Sequence, residues 1–315
     1  MSLGSLAWVL KGAELNELGA ELRAIHWGWM VLAMTTDILV YVIHGWRWSL
    51  LLTPIVRIPV LKSIRAVYVG LFANEVLPFR TGEVIRCYLQ ARWSETPFSV
   101  IVASALAERV FDGLWLVLGL IFVVKFVRDL PHNVVEGGYI LGTVVLCLAL
   151  LLLVAMMQKS WALRNLSTTG WQNTLRVLIE DLNLIGFSRY LGFAALASLP
   201  YLLMQIMPIW AVMKAYGLED TRIEIAAVVM VVLRLSAVVP QAPGNIGLFN
   251  AGVVMALQMF SYDPAFSKRF SLVLWAVVTL PLLIGGAVAL VLTGSRLGEL
   301  LNHAKGHAEM PTRVT

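Results

Sequence analysis

Two arginines and a glutamate lie close together in the decamer LPFRTGEVIR, residues 77–86. Pro78 ends or kinks a helix, and Gly82 frees the backbone. A helix that starts near Gly82 would present its N–H groups beside Arg80 and Arg86. Because helix N-termini and guanidinium groups both favour phosphate or carboxylate, the decamer predicts an anion-binding site.

A second charged group follows in the sequence ALAERVFDGLW. On a helix, Glu108 and Asp112 are four residues apart, so both share one face with Arg109, which can pair with either acid. Two interpretations stay open. The three residues form either a polar stripe that a ligand contacts or ion pairs that connect this helix to the decamer.

Isolated polar residues complete the candidate set. Asn74 precedes the decamer, and Glu83 lies within it. Arg234 stands alone in VVMVVLRLSAVV and needs an acid or a lipid headgroup from elsewhere, because an ionisable group inside a membrane is costly unless it has a partner. Asp37 and His44 lie seven residues apart on one face of a helix, where we expect a buried pair or a hydrogen bond to a neighbouring helix.

The composition places these charges in a membrane. Mean hydropathy is +0.80, and only 14% of residues are charged, whereas about a quarter are charged in a soluble domain. A helix needs about 20 mostly apolar residues to cross a bilayer. Six stretches qualify: 26–46, 112–127, 137–157, 190–213, 223–239 and 270–292. The sequence therefore predicts an all-α polytopic membrane protein with about six full transmembrane helices.

Two further regions, 66–91 and 245–260, are apolar but interrupted by Pro, Gly and charge. Non-helical backbone survives at membrane depth only where protein or a water-filled cavity satisfies its polar groups. We therefore expect two broken or re-entrant segments. The predicted hinge residues are Pro78, Gly82, Pro240, Pro243, Gly244 and Gly247.

The two interruptions share a spacing. Pro78 precedes Gly82 by four residues, and Pro240 precedes Gly244 by four. Interrupted segments at matching positions of two halves are typical of transporters built from inverted repeats, with the substrate site between the halves. The spacing supports the hypothesis of an inverted repeat, although a chain with 24 Gly and 12 Pro also produces such matches by chance.

The basic residues indicate an orientation. Lys and Arg are frequent in 47–65 and 158–189 but rare in 128–136, and loops rich in them lie on the cytoplasmic side. We expect a multi-pass protein of the cell (inner) membrane. It would have a short extramembrane segment at 1–25, a transmembrane domain at 26–293 and a polar tail at 294–315.

Several classes of site are not indicated. Cys87 and Cys147 have no partner at metal-ligand spacing, and the chain has no P-loop motif for ATP. The five histidines avoid the charged cluster in the sequence: His26, His44, His132, His303 and His307. No Ser, Cys or Thr therefore stands beside a His as an activated nucleophile. We expect no metal, no cofactor and no catalytic site, and the scattered basic residues do not indicate nucleic acid.

With these residues in view, the chain resembles the lysylphosphatidylglycerol synthase transmembrane family of flippase-like membrane proteins. The family pattern has a Gly, an Asn, a Leu-Pro-x-Arg-x-Gly-Glu core and a following Arg. This sequence supplies Gly70, Asn74, Leu77, Pro78, Arg80, Gly82, Glu83 and Arg86. The later Glu-Arg-x-x-Asp is met by Glu108, Arg109 and Asp112, and the late Pro-Gly element by Pro240, Pro243, Gly244 and Gly247. The resemblance covers roughly residues 26–292.

Two departures from the family stand out. The late element usually reads Pro-Gly-Gly followed by a Glu, whereas Asn245 and Asn250 occupy those places here. Members also tend to begin with one more hydrophobic span, and this chain is expected to start just after it. The larger members, the multiple peptide resistance factors, resemble a flippase domain fused to a soluble aminoacyl-transferase. Since 294–315 is too short for such a domain, the resemblance implies the translocating part alone.

The resemblance implies a flippase or transporter of an anionic, phosphate-bearing lipid or lipid-linked precursor, and not an enzyme. The lipid tails would stay in the bilayer. The predicted headgroup-binding residues are Asn74, Arg80, Glu83, Arg86, Glu108, Arg109, Asp112 and Arg234. One alternative is a membrane accessory protein whose partners are enzymes of a lipid or glycan synthesis complex. A less favoured one is an intramembrane enzyme with Glu83 or Glu108 as general base.

Overall fold

A computed structural model describes residues 15–77, 81–126, 132–157, 164–167, 169–186, 188–218, 221–236, 243–294 and 297–300. These ranges contain helices and no strand, which confirms the all-α prediction for the described part of the chain. The helices are α1 (Leu15–Ala24), α2 (Trp27–Leu52), α3 (Val60–Val76), α4 (Gly82–Ser94), α5 (Phe98–Phe126), α6 (His132–Met157), α7 (Gly170–Ile185), α8 (Arg189–Met204), α9 (Ile206–Ala215), α10 (Ile223–Ser236), α11 (Leu248–Gln258) and α12 (Pro264–Val291).

Three helical segments of the described chain are long and apolar enough to cross a membrane. They are α2, the pair α8 and α9 joined through Gln205, and α12, with 26, 27 and 28 residues. They contain almost all of three predicted spans, 26–46, 190–213 and 270–292. Two more predicted spans, 112–127 and 137–157, fall almost wholly within α5 and α6, which have 29 and 26 residues.

Helix α10 is shorter than the span predicted at 223–239. Its 14 residues end at Ser236, which at 1.5 Å per residue gives about 21 Å, less than the roughly 30 Å of a hydrocarbon core. Residues 237–239 lie outside the described part of the chain. The described helix therefore reaches only part of the way across a bilayer.

Both predicted interruptions are present as breaks between helices. Helix α3 ends at Val76, and α4 begins at Gly82, where the decamer predicts a helix start. In the second region, a short 3₁₀ turn over Pro243–Asn245 precedes α11. Gly244 and Gly247 have φ of +79° and +99°, which glycine adopts readily. Pro78, Arg80 and Pro240 lie outside the described residues, and the inverted repeat stays a prediction.

Two buried apolar clusters connect the helices. One packs the N-terminal half of α2 with α9, α10, α11 and α12. The other packs the C-terminal half of α2 with α3, α4 and α5. Many large apolar side chains lie on the outside, including Leu151 and Ile284, as expected for a surface that contacts lipid tails. Helix α2 is shared by both clusters and positions the polar residues between them.

The predicted extramembrane segment at 1–25 ends in α1, which packs on the helix bundle. Arg269 of α12 lies 2.9 Å from Glu17 and 2.7 Å from Glu21 of α1. Leu18 and Leu22 of α1 pack against the first apolar cluster. Both ion pairs and apolar contacts therefore attach α1 to α12.

Candidate functional site

Helices α3 and α4 meet at two glycines. A Cβ atom added to Gly82 would lie 1.8 Å from the carbonyl oxygen of Gly70, so only glycine fits there. The side chain of Asn74 accepts a hydrogen bond from the Gly82 N–H at 2.9 Å. This bond satisfies one of the free N–H groups at the start of α4. Asn74, a predicted site residue, therefore holds the helix start in place.

Arg86 is buried, with 1% of its surface exposed. Its Nε donates to Glu83 Oε2 at 2.9 Å, and its Nη1 donates to Glu108 Oε2 at 3.0 Å. The guanidinium also lies 4.6 Å from the ring centroid of Trp48. Both acids and an aromatic ring thus hold the guanidinium in place. Its predicted contact with a headgroup stays a prediction.

Glu108 lies at the centre of a buried ion-pair cluster. Besides Arg86, it accepts a hydrogen bond from Arg47 Nη2 at 2.8 Å, and His44 Nε2 lies 3.1 Å from its Oε1. His44 is far from the charged cluster in the sequence but joins it in the fold, and its contact with Glu108 confirms the expected buried partner on a neighbouring helix. Arg47 does not lie in a loop, because α2 continues to Leu52 and carries this side chain into the bundle.

The remaining members of the charged motif connect α5 to α4 and α2. Arg109 Nη2 donates to Glu83 Oε1 at 2.6 Å, whereas its Nη1 lies 3.9 Å from Asp112. Asp112 accepts hydrogen bonds from both Nη atoms of Arg47. Together with the Arg86–Glu108 pair, the Arg109–Glu83 contact shows that ion pairs connect this helix to the decamer. Contact of the same residues with a ligand stays a prediction.

A cavity of about 420 Å³ opens beside this cluster. We call it the polar cavity. Its polar lining combines predicted site residues with others: Asn74, Glu75, Glu83, Arg109, Asp112, Ser198, Tyr201, Arg234 and Asn245. Arg86 and Glu108 are not among the residues that line it. Five of the eight predicted headgroup-binding residues thus share one cavity, while Arg80 lies outside the described residues.

Arg234 enters this cavity with neutral partners. Its Nε donates to Gln205 Oε1 at 2.6 Å, and its Nη2 donates to the Tyr201 hydroxyl at 3.1 Å. Within the described residues, no carboxylate lies within 4.0 Å of its guanidinium nitrogens. Of the two partners expected from the sequence, an acid or a lipid headgroup, the described fold supplies no acid. A partly buried positive charge whose described neighbours are neutral favours an anion.

Five polar residues of this cavity and its rim are not among the predicted site residues: Glu75, Ser198, Tyr201, Gln205 and Asn245. Tyr201 and Gln205 lie four apart in the predicted span 190–213, and polar side chains one helical turn apart in an apolar span are a usable signal. Ser198 accepts a hydrogen bond from Arg47 at 2.9 Å. Asn245 could have been found only as a polar residue beside Gly244 in the second interruption.

The described residues do not bring together a set of ligands for a metal. They contain no group of three or more His, Cys, Asp or Glu side chains that could hold an ion. Cys87 is buried and Cys147 is exposed, and both are free thiols.

Comparison with known proteins gives one match. A model of the family described as the lysylphosphatidylglycerol synthase TM region matches residues 1–292. The match begins earlier than residue 26, where the resemblance was expected to start. Neither the curated proteins nor the solved structures contain a match.

Proposed function

The chain belongs to the lysylphosphatidylglycerol synthase transmembrane family, and from this premise we propose that it moves an anionic lipid across the cell (inner) membrane. Its substrate would be a phosphate-bearing lipid or lipid-linked precursor. The family and the membrane-spanning helices make the chain an integral membrane protein of a lipid-related family. The transport activity and the charge of the substrate are the proposal.

The observation that carries the proposal is the position of Arg234. A guanidinium inside a helical bundle is costly unless a negative charge accompanies it. The described partners of Arg234, Gln205 and Tyr201, are neutral. A phosphate in the polar cavity would supply the missing charge and could accept paired hydrogen bonds from the guanidinium.

The ion-pair cluster supports one wall of this cavity through Asp112 and Glu83, which line the cavity and pair with the buried Arg47 and Arg86. Arg47, Arg86 and Glu108 join α2, α4 and α5 through buried contacts, and breaking such contacts is costly. Asn245, which also lines the cavity, lies between Gly244 and Gly247, whose backbone has positive φ. With these two glycines as the predicted hinges, a headgroup would move as α10 and α11 shift against the wall that the ion pairs support.

The sequence also bears on the energy source for transport. Because no P-loop motif is present in the sequence, the energy would come from an ion gradient, the membrane potential or downhill lipid flow. The partners would be the lipid itself and the enzymes that make or use it.

The carboxylates that an enzyme would need are already occupied. Both oxygens of Glu108 contact arginines, and the same is true of Glu83. To accept a proton from a substrate, either carboxylate would first have to give up one of these arginine contacts. This supports transport without a catalytic step.

A reconstitution experiment tests the proposal. The protein is placed in vesicles with a fluorescent phosphatidylglycerol, and dithionite quenching measures how much probe reaches the outer leaflet. We expect wild type to move the probe, Arg234→Ala to lose this activity, and Arg176→Ala to retain it. Arg176 is a matched control because it pairs with Glu180 within α7, outside the polar cavity.

Native mass spectrometry of the same variants identifies the bound lipid. We expect an anionic lipid on the wild type and on Arg176→Ala but not on Arg234→Ala. If all three proteins retain the same lipids and move the probe equally, Arg234 does not bind the headgroup and the proposal is wrong. An inactive but intact wild type that copurifies with synthesis enzymes would favour the accessory role.

A further inference from the structure

A second cavity of about 270 Å³ lies between α5, α6 and α7. We call it the apolar groove. Val145, Leu148 and Leu151 of α6 form one side, and Ile179 of α7 lies on another. Among the described residues that line it, Arg109 is the sole charged one. The groove therefore offers no polar partner to a ligand except at this one end.

The apolar groove and the polar cavity adjoin each other. Arg109 and Gly113 of α5 line both. The guanidinium of Arg109 donates to Glu83, which lines the polar cavity, so its charged end lies on the polar side. A Cβ atom on Gly113 would lie 2.9 Å from Val145, which shows that α5 and α6 approach each other closely where the two spaces meet.

We propose that the apolar groove binds one alkyl chain of the lipid whose headgroup occupies the polar cavity. This inference rests on the proposed function. A lipid has a polar headgroup joined directly to apolar alkyl chains. The polar cavity and the apolar groove adjoin each other in the same way. The sequence predicts that all lipid tails stay in the bilayer, whereas in this proposal one alkyl chain enters the groove.

The alkyl chain is held in the groove mainly by its covalent attachment to the headgroup. Lipid tails are as apolar as leucine, so a chain gains little by leaving the bilayer for the groove. A headgroup held at Arg234 instead keeps its own chain at a high local concentration beside the groove. Occupancy of the groove by this alkyl chain should therefore depend on Arg234. Occupancy by ordinary surrounding lipid would not depend on Arg234.

Photocrosslinking tests this dependence. A phosphatidylglycerol with a diazirine in one acyl chain is incorporated with the protein into nanodiscs, irradiated, and mapped by peptide mass spectrometry. We expect labels on the groove-facing residues of α5, α6 and α7. Leu148→Trp and Leu151→Trp fill the groove and should each reduce these labels several-fold. Both side chains are more than half exposed, so the larger ring does not disturb the core.

A neighbouring position provides the control. Leu150 is 62% exposed and lies on α6 outside the groove lining, so Leu150→Trp should leave the labels unchanged. Arg234→Ala should remove them as effectively as Leu148→Trp does. Labels that are absent from the groove in wild type, or that persist in both tryptophan variants, overturn the inference.

The same set of variants separates the two proposals. If Arg234→Ala loses bound anionic lipid but groove labelling resists both tryptophan variants, only the groove is wrong. If Arg234→Ala retains both the bound lipid and the labels, the lipid in the groove is ordinary surrounding lipid and the headgroup site is wrong as well.

Discussion

Asn245 donates a hydrogen bond from its Nδ2 to Oε1 of Glu75 at 2.6 Å. The bond joins the two interrupted regions of the chain, because Glu75 lies in the last turn of α3 and Asn245 ends the 3₁₀ turn before α11. Both residues line the polar cavity. The cavity therefore lies where the interruptions meet, which is the position expected for the substrate site of a transporter with two matching halves.

Asn245→Asp tests this hydrogen bond with a residue that tolerates the same backbone conformation. Asn245 has φ of +52°, a conformation that Asn and Asp both tolerate. The substitution replaces the donor by a carboxylate facing Glu75. We expect lipid transport to fall several-fold and the protein to lose roughly 1–3 kcal/mol of stability, as measured by the dithionite assay and by thermal unfolding.

A second substitution checks the cause. Combining Asn245→Asp with Glu75→Gln restores one donor and one acceptor with the polarity reversed, so it should recover part of the lost transport. Asn173→Ala on α7, outside the cavity lining, is the control and should have no effect. If the double variant is no better than Asn245→Asp alone, the hydrogen bond does not account for the defect.

Gln205→Glu gives Arg234 an internal counterion. The side chain keeps its size, and a carboxylate oxygen takes the place of the amide oxygen that now accepts from Arg234 Nε at 2.6 Å. A hydrogen bond to a charged partner is about 1 kcal/mol or more stronger than one to a neutral partner. We therefore expect the affinity for an anionic lipid to fall by about tenfold, measured by native mass spectrometry titration.

The matched comparison is Gln205→Met, which removes the hydrogen bond but adds no charge. It should retain anionic lipid binding better than Gln205→Glu. Equal binding by wild type and Gln205→Glu would mean that the charge of Arg234 does not determine the ligand.

Glu108→Ala should disrupt the ion-pair cluster and destabilise the protein. The substitution leaves the guanidiniums of Arg47 and Arg86 buried without the acid that they share. Removing one partner from a buried pair costs about 3–5 kcal/mol. We expect a large drop in melting temperature and in yield from the membrane.

Glu180→Ala is the control for this substitution. It breaks the partly exposed Arg176–Glu180 pair on α7, and such pairs contribute less than about 1 kcal/mol. Similar melting temperatures for Glu108→Ala and Glu180→Ala would show that the cluster does not hold α2, α4 and α5 together.

The local parts of the site could be predicted from the sequence. The proline and glycine of the decamer predict the start of α4 at Gly82, and helical spacing predicts the shared face of Glu108 and Asp112, which both contact Arg47. These features depend on neighbours within a few residues, where backbone preferences decide the structure.

The partners across helices could not be predicted. The apolar stretch 26–46 ends before Arg47, so the sequence predicts a loop there, yet α2 continues and Asp112 and Glu108 of α5 stabilise the buried charge. Arg234 has neutral partners on a different helix. Which residues meet across a bundle depends on helix packing, and the spacing within one helix carries no information about it.

Gly82→Ala tests whether the close contact of α3 and α4 sets the geometry of the whole site. The new methyl group would lie 1.8 Å from the Gly70 carbonyl oxygen and 2.7 Å from Asn74 Oδ1, so the helices must separate. Because Arg86 lies one turn after Gly82 on α4, the separation would also move Arg86 away from Glu108. We expect loss of transport and a clear drop in melting temperature. Gly119→Ala on α5, whose added carbon meets nothing within 4 Å, should keep both, since alanine is the better helix former. If Gly82→Ala behaves like Gly119→Ala, the ion pairs alone set the position of α4.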